Sequence, residues 1–268
     1  MCFIQLCVAL PVMAARNKIT YFSANILYCD IASGEKRTDY VRRRDGLIAL
    51  LAELKPDAIG IQEASVCKIY VHPTGDDTIK AVVLGLKKRG LNYGASFWLS
   101  ESVGSIWLEG LAFLWNKDTV FLDKEHIACR HLDASYRRSG TLIQKSLCRA
   151  EVSTMDGDTP LFIYNAHLEA FDDDVRNKQS LEVSEIIRNE SVVSKKRALF
   201  GGDLNSDDIS NNFEDIGFKL ILINRVDYMF SYGIPSEKIN VELIPLHSIP
   251  GKPDISDHNG ILVTVWDE

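Results

Sequence analysis

Short apolar segments that run directly into polar side chains recur along this chain, and they restrict its fold more than any other feature. In the clearest case, Ala198-Leu199-Phe200 leads through two glycines to Asp203 and Asn205. Further segments of this kind end at or contain polar residues, namely Asn25, Glu63, His167, Asp227, Asp257 and His258. One such segment alone also fits a simple strand and turn. Because strand ends in an α/β sheet share an edge, the recurrence predicts an α/β fold whose polar residues converge on one site.

Helical patterns separate the apolar segments. Apolar residues recur with helical spacing over residues 38–54, and Pro56 stops that helix. Further helices are predicted around residues 79–86 and after Asp172. A chain of 268 residues, of which 46% are hydrophobic, is long enough to bury one large core. We expect residues 16–268 to form a single domain.

The first fifteen residues are apolar and allow two interpretations. They end in Ala14-Ala15, which resembles a signal peptide with a small-residue cleavage site but lacks the basic beginning. They are equally well explained as an extension before an alternative start at Met13. The sequence leaves the compartment open and favours the cytoplasm slightly over secretion. No segment is long and apolar enough to span a membrane.

Cysteine spacing and charge argue against two kinds of site. The six cysteines include no CxxC pair, so neither a zinc site nor a dense disulfide framework is expected, and most are interpreted as small buried residues. The formal net charge of −7 argues against a sequence-independent grip on nucleic acid. Basic clusters at residues 42–44, 87–89 and 195–197 are interpreted as solvated helix faces.

Six segments, in chain order, carry a family resemblance: Asn25, Gln62-Glu63, Asn165-Ala166-His167-Leu168, Gly202-Asp203-Leu204-Asn205, Val226-Asp227-Tyr228 and Ser256-Asp257-His258. This set resembles the endonuclease/exonuclease/phosphatase superfamily, which includes deoxyribonuclease I, exonuclease III-type repair enzymes and neutral sphingomyelinases. The stretch from His167 to Asp172, with Arg176 and Gln179, is similar to a bacterial branch of it. The resemblance covers residues 19–265 and implies a deoxyribonuclease I-like four-layer α-β-β-α sandwich, two mixed β-sheets flanked by helices.

The resemblance also implies a hydrolytic metal site. Mg²⁺, or Mn²⁺ in its place, neutralises the charge that develops during phosphoester hydrolysis and takes one or two protein carboxylates. Glu63 is the primary ligand implied, with Asn25 beside it and Asp257 as a further ligand. Asp203 is implied to orient and deprotonate the attacking water, and Asn205 to donate to the phosphate oxygens in the transition state.

Two histidines complete the implied site. His167 is expected to contact the phosphate directly. His258 is expected to be held in place and kept protonated by Asp227. This pairing explains a carboxylate within an apolar run, because an unpaired acid there would be costly. Arg149 is also expected to bind the substrate.

Two positions depart from the family pattern. Ala166 stands where relatives commonly have Thr or Ser, which removes a hydroxyl but no catalytic group. Residues 206–226, between Asn205 and Asp227, form a shorter segment than the insertion with an aromatic substrate-facing loop that is usual in relatives. The substrate pocket is therefore expected to be open or truncated.

Three functions follow as expectations. The first is Mg²⁺-dependent hydrolysis of a phosphoester, more readily a diester than a monoester, in a small molecule, a lipid headgroup or a nucleic acid. The alternative is a DNA or RNA endonuclease or exonuclease, which the acidic balance and the absence of a clear basic surface with interleaved aromatic residues weaken. A second alternative is a non-catalytic scaffold of the same fold that binds a phosphorylated ligand. A monomer is expected in each case.

Overall fold

The computed structural model describes residues 17–28, 34, 36–67, 78–103, 107–138, 141–155, 157, 160–251 and 253–267, and the predicted extension over residues 1–15 lies outside this range. Along the chain the elements are β1 (Lys18–Asn25), α1 (Arg37–Leu54), β2 (Ala58–Cys67), α2 (Thr78–Lys87), β3 (Tyr93–Val103), β4 (Trp107–Asn116), β5 (Val120–Phe121), β6 (Ile127–His131), β7 (Tyr136–Arg138), β8 (Thr141–Ile143), β9 (Ser146–Thr154), β10 (Leu161–His167), α3 (Asp173–Ile187), β11 (Ala198–Asp203), α4 (Asn211–Glu214), β12 (Lys219–Asn224), β13 (Asp227–Tyr232), β14 (Ile239–Ile244) and β15 (Gly260–Trp266).

The strands form two large sheets and a small hairpin. The first sheet has the order β14-β15-β1-β2-β4-β3, and the second has the order β12-β13-β11-β10-β9-β5, with β6 also paired to β9. Strands β7 and β8 pair with each other. Both sheets are mixed, because β1 with β2 and β10 with β11 run parallel while their other neighbours run antiparallel.

Three apolar cores hold four layers together. The central core lies between the sheets and includes Tyr21, Phe113 and Ile163. A second core lies between the first sheet and helices α1 and α2, and a third between the second sheet and helices α3 and α4. The architecture is therefore the predicted α-β-β-α sandwich. No helix in the described part of the chain is long and apolar enough to cross a membrane.

The parallel pairs place polar residues at the same edge of the sandwich. In the first sheet Asn25 lies opposite Gln62, and in the second His167 lies opposite Asp203. Strand β10 is buried along its whole length, which explains its nearly continuous apolar sequence. The carboxyl ends of these strands form the edge at which the sequence predicted a site.

Strand β2 differs from its predicted form. The sequence predicts a strand that ends at Gln62 and delivers Glu63, but β2 continues to Cys67. Glu63 instead lies in a bulge: its φ is 55°, and the register with β4 shifts between Ile61 and Ala64. A β-bulge reorients a side chain without ending the strand, so Glu63 still reaches the site.

One further feature was not predicted. Whereas the sequence predicted most of the six cysteines to be small buried residues, Cys129 on β6 and Cys148 on β9 lie directly opposite each other and form a disulfide bond. They are 19 residues apart, and only the strand pairing brings them together. Residues 206–226, the segment expected to be shorter than in relatives, contain α4 and the edge strand β12.

Candidate active site

Asn25 links the two sheets at the center of the site. Its amide nitrogen Nδ2 donates to Glu63 Oε1 at 2.8 Å and to Asp203 Oδ2 at 2.9 Å. Its carbonyl oxygen accepts the Leu27 N–H at 2.9 Å, which fixes the direction of the amide. The Tyr28 N–H donates to the second oxygen of Glu63, also at 2.9 Å. One buried amide therefore orients two carboxylates that come from different sheets.

Buried amides also join the sheets behind these carboxylates. Gln62 Nε2 donates to Asn165 Oδ1 at 2.6 Å, and Asn165 Nδ2 donates to the Ile61 carbonyl at 3.1 Å. Both side chains are buried. Breaking either bond would leave a polar group unsatisfied in the interior, so this pair fixes the relative position of the sheets. Gln62 and Asn165, which the sequence placed in the family motifs, thus support the site without lying in it.

Asp203 is held by the turn that follows β11. Its Oδ1 accepts the Asn205 N–H at 2.9 Å, and Asn205 Nδ2 donates to the Leu168 carbonyl at 2.9 Å. Gly202 has a φ of 142°, and a Cβ atom there would lie 2.0 Å from the Ala166 carbonyl oxygen, so this position requires glycine. The Asp203 carboxylate is buried and directs Oδ2 towards the other site residues.

His258 and Asp227 form the predicted pair. His258 Nδ1 lies 2.8 Å from Asp227 Oδ2, and His258 Nε2 lies 3.7 Å from Asp203 Oδ2. Burial disfavours the imidazolium, but the hydrogen bond and charge of Asp227, with the charge of Asp203, raise the pKa of His258 to about 9. Burial raises the pKa of the Asp227 carboxyl to about 6, against the effect of the bond to His258. At neutral pH the pair is therefore an imidazolium and a carboxylate.

His167 reaches the same site from the second sheet but has a different environment. Its Nε2 lies 3.9 Å from Asp203 Oδ2 and 4.0 Å from Glu63 Oε1, and its Nδ1 lies 3.4 Å from Glu109 Oε1. Burial lowers the pKa of His167, and the positive charge of Lys145 lowers it further. The nearby carboxylates oppose this shift without reversing it.

The sequence interpretation missed three charged residues beside His167. Lys145 Nζ lies 3.9 Å from Glu109 Oε1 and 3.8 Å from Glu101 Oε2, and all three side chains are almost completely buried. Burial raises the pKa of Glu109, and it raises the pKa of Glu101 to about 7, while Lys145 opposes both shifts. Glu109 interrupts an apolar strand as Asp227 does, so the argument that identified Asp227 could have identified Glu109.

One expected site residue lies away from the site, and another lies at its exposed edge. Arg149 points to the helix side of the second sheet, where Nη1 bonds to Glu190 at 3.0 Å and the guanidinium lies 4.7 Å from the center of the Phe162 ring. The structure thus places Arg149 apart from the site. Asp257 is exposed beside His258, and its closest described hydrogen bond is a 3.5 Å contact from the Ser256 hydroxyl.

The donor set fits a hard divalent cation. Among the described residues, two groups have ligand atoms within 4.8 Å of one another: Glu63, Glu109 and His167, and Asp203, Asp227 and His258. Glu63 and Asp203 each accept one hydrogen bond from the side-chain amide of Asn25. Burial raises the pKa of Glu63, and the charge of Glu109 adds to this effect. Carboxylates crowded in this way are stabilised by a hard divalent cation, which prefers oxygen ligands.

Comparisons with known proteins identify the family and the fold. The model of the Endonuclease/Exonuclease/phosphatase family matches residues 22–258. No curated protein matches the sequence.

Solved structures share the fold over nearly the full length of the chain. An endonuclease/exonuclease/phosphatase from Bacteroides vulgatus is 15% identical with a TM-score of 0.68, covering 94% of this chain and 100% of that one. The human nocturnin catalytic domain with bound sulfate is 15% identical with a TM-score of 0.67, covering 94% and 95%. A mannosyl-6-phosphatase from Bacteroides thetaiotaomicron is 15% identical with a TM-score of 0.62, covering 92% and 100%. At this identity the likeness establishes the fold alone.

Proposed function

Because this chain belongs to the endonuclease/exonuclease/phosphatase family, whose members hydrolyse phosphoester bonds, we propose that it is a metal-dependent phosphodiesterase acting through this site. The observation that carries the proposal is the convergence on Asp203 Oδ2. Asn25 Nδ2, His258 Nε2 and His167 Nε2 lie 2.9, 3.7 and 3.9 Å from this one oxygen. A carboxylate surrounded by potential donors from both sheets is well placed to accept a proton next to a bound phosphate.

The metal site of this proposal is built around Glu63. Glu63 would hold Mg²⁺ or Mn²⁺, with Asn25 beside it and Asp257 reaching in from the exposed edge. When bound, the cation neutralises charge on the phosphate oxygens. The hydrogen bonds from Asn25 and Tyr28 keep the Glu63 carboxylate in a fixed orientation, which preorganises it to bind the cation.

Asp203 acts as the general base in this mechanism. The attacking water bonds to Oδ2, the oxygen nearest the two histidines, and transfers its proton there. A carboxylate oxygen has two acceptor sites, so the bond from Asn25 to Oδ2 leaves one for the water. The water oxygen attacks phosphorus in line with the bond that breaks, and the leaving oxygen departs on the opposite side. Asn205 has two amide N–H groups and uses one for the Leu168 carbonyl, so the other can donate to a phosphate oxygen.

The histidines bind the other phosphate oxygens. His258 donates Nδ1–H to Asp227 and Nε2–H to the phosphate, and its raised pKa keeps both protons in place at neutral pH. His167 donates through Nε2–H to another phosphate oxygen, and its Nδ1 faces Glu109 Oε1 at 3.4 Å. Lys145 supplies the fixed positive charge near the phosphate that the sequence interpretation assigned to Arg149.

The proposal is tested by hydrolysis of bis-p-nitrophenyl phosphate. We expect turnover with Mg²⁺ or Mn²⁺ and none in excess EDTA. Asp203→Asn removes the base and should lower kcat by about 10³. The matched control is Asp215→Asn, which makes the same change at an exposed aspartate outside the site and should leave kcat unchanged. Turnover in EDTA would contradict metal dependence, and normal kcat in Asp203→Asn would contradict the assigned base.

Nuclease activity is the main competing function. The net charge of −7 disfavours a general grip on phosphate backbones, so we expect little nicking of plasmid DNA at physiological salt. Nicking that exceeds the turnover of the small diester, and that Glu63→Gln abolishes, would place nuclease activity first. Metal binding without turnover of any phosphoester would support the scaffold alternative.

A further inference from the structure

Arg43 lies in the middle of the basic cluster at residues 42–44, which the sequence indicated as a solvated helix face. Arg42 fits that interpretation, since its side chain is 68% exposed and pairs at 3.7 Å with Asp39. Arg43 does not, because its side chain turns inward from α1 towards the sheet edge. Its guanidinium donates to four backbone carbonyls, those of Ile26, Leu27, Tyr28 and Ile255.

The first three carbonyls belong to the turn that follows β1. Arg43 Nη1 lies 2.9 Å from the oxygens of Ile26 and Leu27, and Nη2 lies 3.0 Å from that of Tyr28. This turn orients one half of the site, because the Leu27 N–H bonds to Asn25 and the Tyr28 N–H bonds to Glu63. Leu27 has a φ of 55°, a conformation that leucine rarely adopts and that surrounding contacts must maintain.

The fourth carbonyl belongs to the segment that leads to His258. Arg43 Nη1 lies 3.2 Å from the Ile255 oxygen. The Ile255 N–H bonds to the Leu246 carbonyl at 2.7 Å, and the next residue, Ser256, accepts the His258 N–H at 3.2 Å. One guanidinium thus contacts both the segment that carries Asn25 and the segment that places His258.

The chemistry of these contacts requires arginine. A guanidinium is planar and presents five N–H donors in fixed directions, whereas an ammonium presents three donors around one point. The four carbonyls come from two separate segments, so a lysine at this position could reach one segment and lose the other. These four carbonyl acceptors are neutral, so the contacts to them do more than balance a charge.

We propose that Arg43 is a positioning residue that couples the Glu63 half of the site to the His258 half. Its described contacts are with four backbone carbonyls and the Tyr40 ring, so it acts through the two backbone segments it joins. The catalytic consequence rests on the proposed function. The coupling itself is a property of the protein without substrate and is tested separately.

Hydrogen exchange measured by mass spectrometry tests the coupling directly. The variants are Arg43→Lys and the matched control Arg42→Lys, the same change one position away on α1. We expect Arg43→Lys to speed amide exchange about tenfold or more both at residues 26–28 and at residues 255–258. Exchange in β10 should stay slow, which shows that the variant is folded. Faster exchange in only one segment, or in neither, would overturn the proposal.

Kinetics then separate the coupling from the proposed function. Arg43→Lys should lower kcat about tenfold to a hundredfold and raise the Mg²⁺ concentration needed for half-maximal rate, whereas Arg42→Lys should change neither. Adding methylguanidine to Arg43→Ala should restore part of the activity. If wild type hydrolyses no phosphoester, the proposed function fails while the exchange result still decides the coupling. Normal kcat together with faster exchange would show that Arg43 has only a structural role.

Discussion

His167 and His258 approach the same oxygen of Asp203 from the two sheets, at 3.9 and 3.7 Å, yet their proton affinities shift in opposite directions. His258 has a hydrogen-bonded carboxylate, Asp227, at 2.8 Å. His167 has Glu109 at 3.4 Å, and Lys145 lies against that glutamate. Burial lowers the pKa of His167 and the charge of Lys145 lowers it further, whereas the hydrogen bond and charge of Asp227 overcome the effect of burial on His258. Burial and neighbouring charges, rather than distance to the shared carboxylate, therefore decide which histidine carries the positive charge.

The two halves of the site therefore have different electrostatic roles. On the Asp227 side, positive charge is concentrated on His258, whose Nε2 faces Asp203 Oδ2. On the Glu109 side, charge is distributed over Lys145 and two glutamates, and the pKa of His167 is lowered. His167 is therefore the weaker hydrogen-bond donor of the two histidines. A charged donor forms a hydrogen bond about twice as strong as a neutral one, which gives the comparison a kinetic consequence.

The largest expected effect comes from replacing each histidine with glutamine. At pH 7.5, His258→Gln should lower kcat about 10² to 10³-fold because it removes a charged donor to the transition state. His167→Gln should lower kcat only about tenfold, the loss of one neutral hydrogen bond. The measurement is hydrolysis of bis-p-nitrophenyl phosphate with saturating Mg²⁺. Equal losses of kcat, or a larger loss in His167→Gln, would contradict the assignment of His258 as the charged donor.

A smaller effect is expected in the pH dependence of kcat. The donor role needs protonated His258, so wild-type activity should fall as the pH rises through about 9. Asp227→Asn removes the partner that holds this pKa up, so the alkaline limb should move to lower pH, towards or below the ordinary imidazole range. Glu109→Gln is the matched control on the other histidine and should leave the limb near 9. An unmoved limb in Asp227→Asn would assign that limb to another group.

The smallest expected effect is on thermal stability. The folded-state pKa of His258, about 9, lies above the ordinary unfolded value of about 6.5, so the protonated pair stabilises the fold fully below about pH 6.5 and loses this effect as the pH rises to about 9. Wild type without metal should melt a few degrees above His258→Gln at pH 6.5. The difference should shrink by pH 9.5. A difference in melting temperature that grows with pH would contradict stabilisation of the fold by protonated His258.

Local patterns allowed much of the fold to be predicted. Buried strands such as β1 and β10 are apolar on both faces, and helix α1 has regular apolar spacing. Asp227 could be identified because a buried acid needs a partner. Lys145 could not be predicted in the same way. Lys145 lies in the loop before β9, where side chains do not alternate between the two faces of the sheet as they do within a strand. The folded loop therefore decides that Lys145 contacts Glu109, whereas Arg149 contacts Glu190.

By itself the sequence determined which chemical groups are available and in what order along the chain, because residue type and apolar spacing are local properties. The order of the segments Asn25, Glu63, His167, Asp203, Asp227 and His258 identified the family before any geometry was known. Only the tertiary structure decided which groups meet. The Glu63 bulge, the Cys129–Cys148 bond and the four carbonyls around Arg43 all depend on strand register and on contacts between distant segments, which no local pattern specifies.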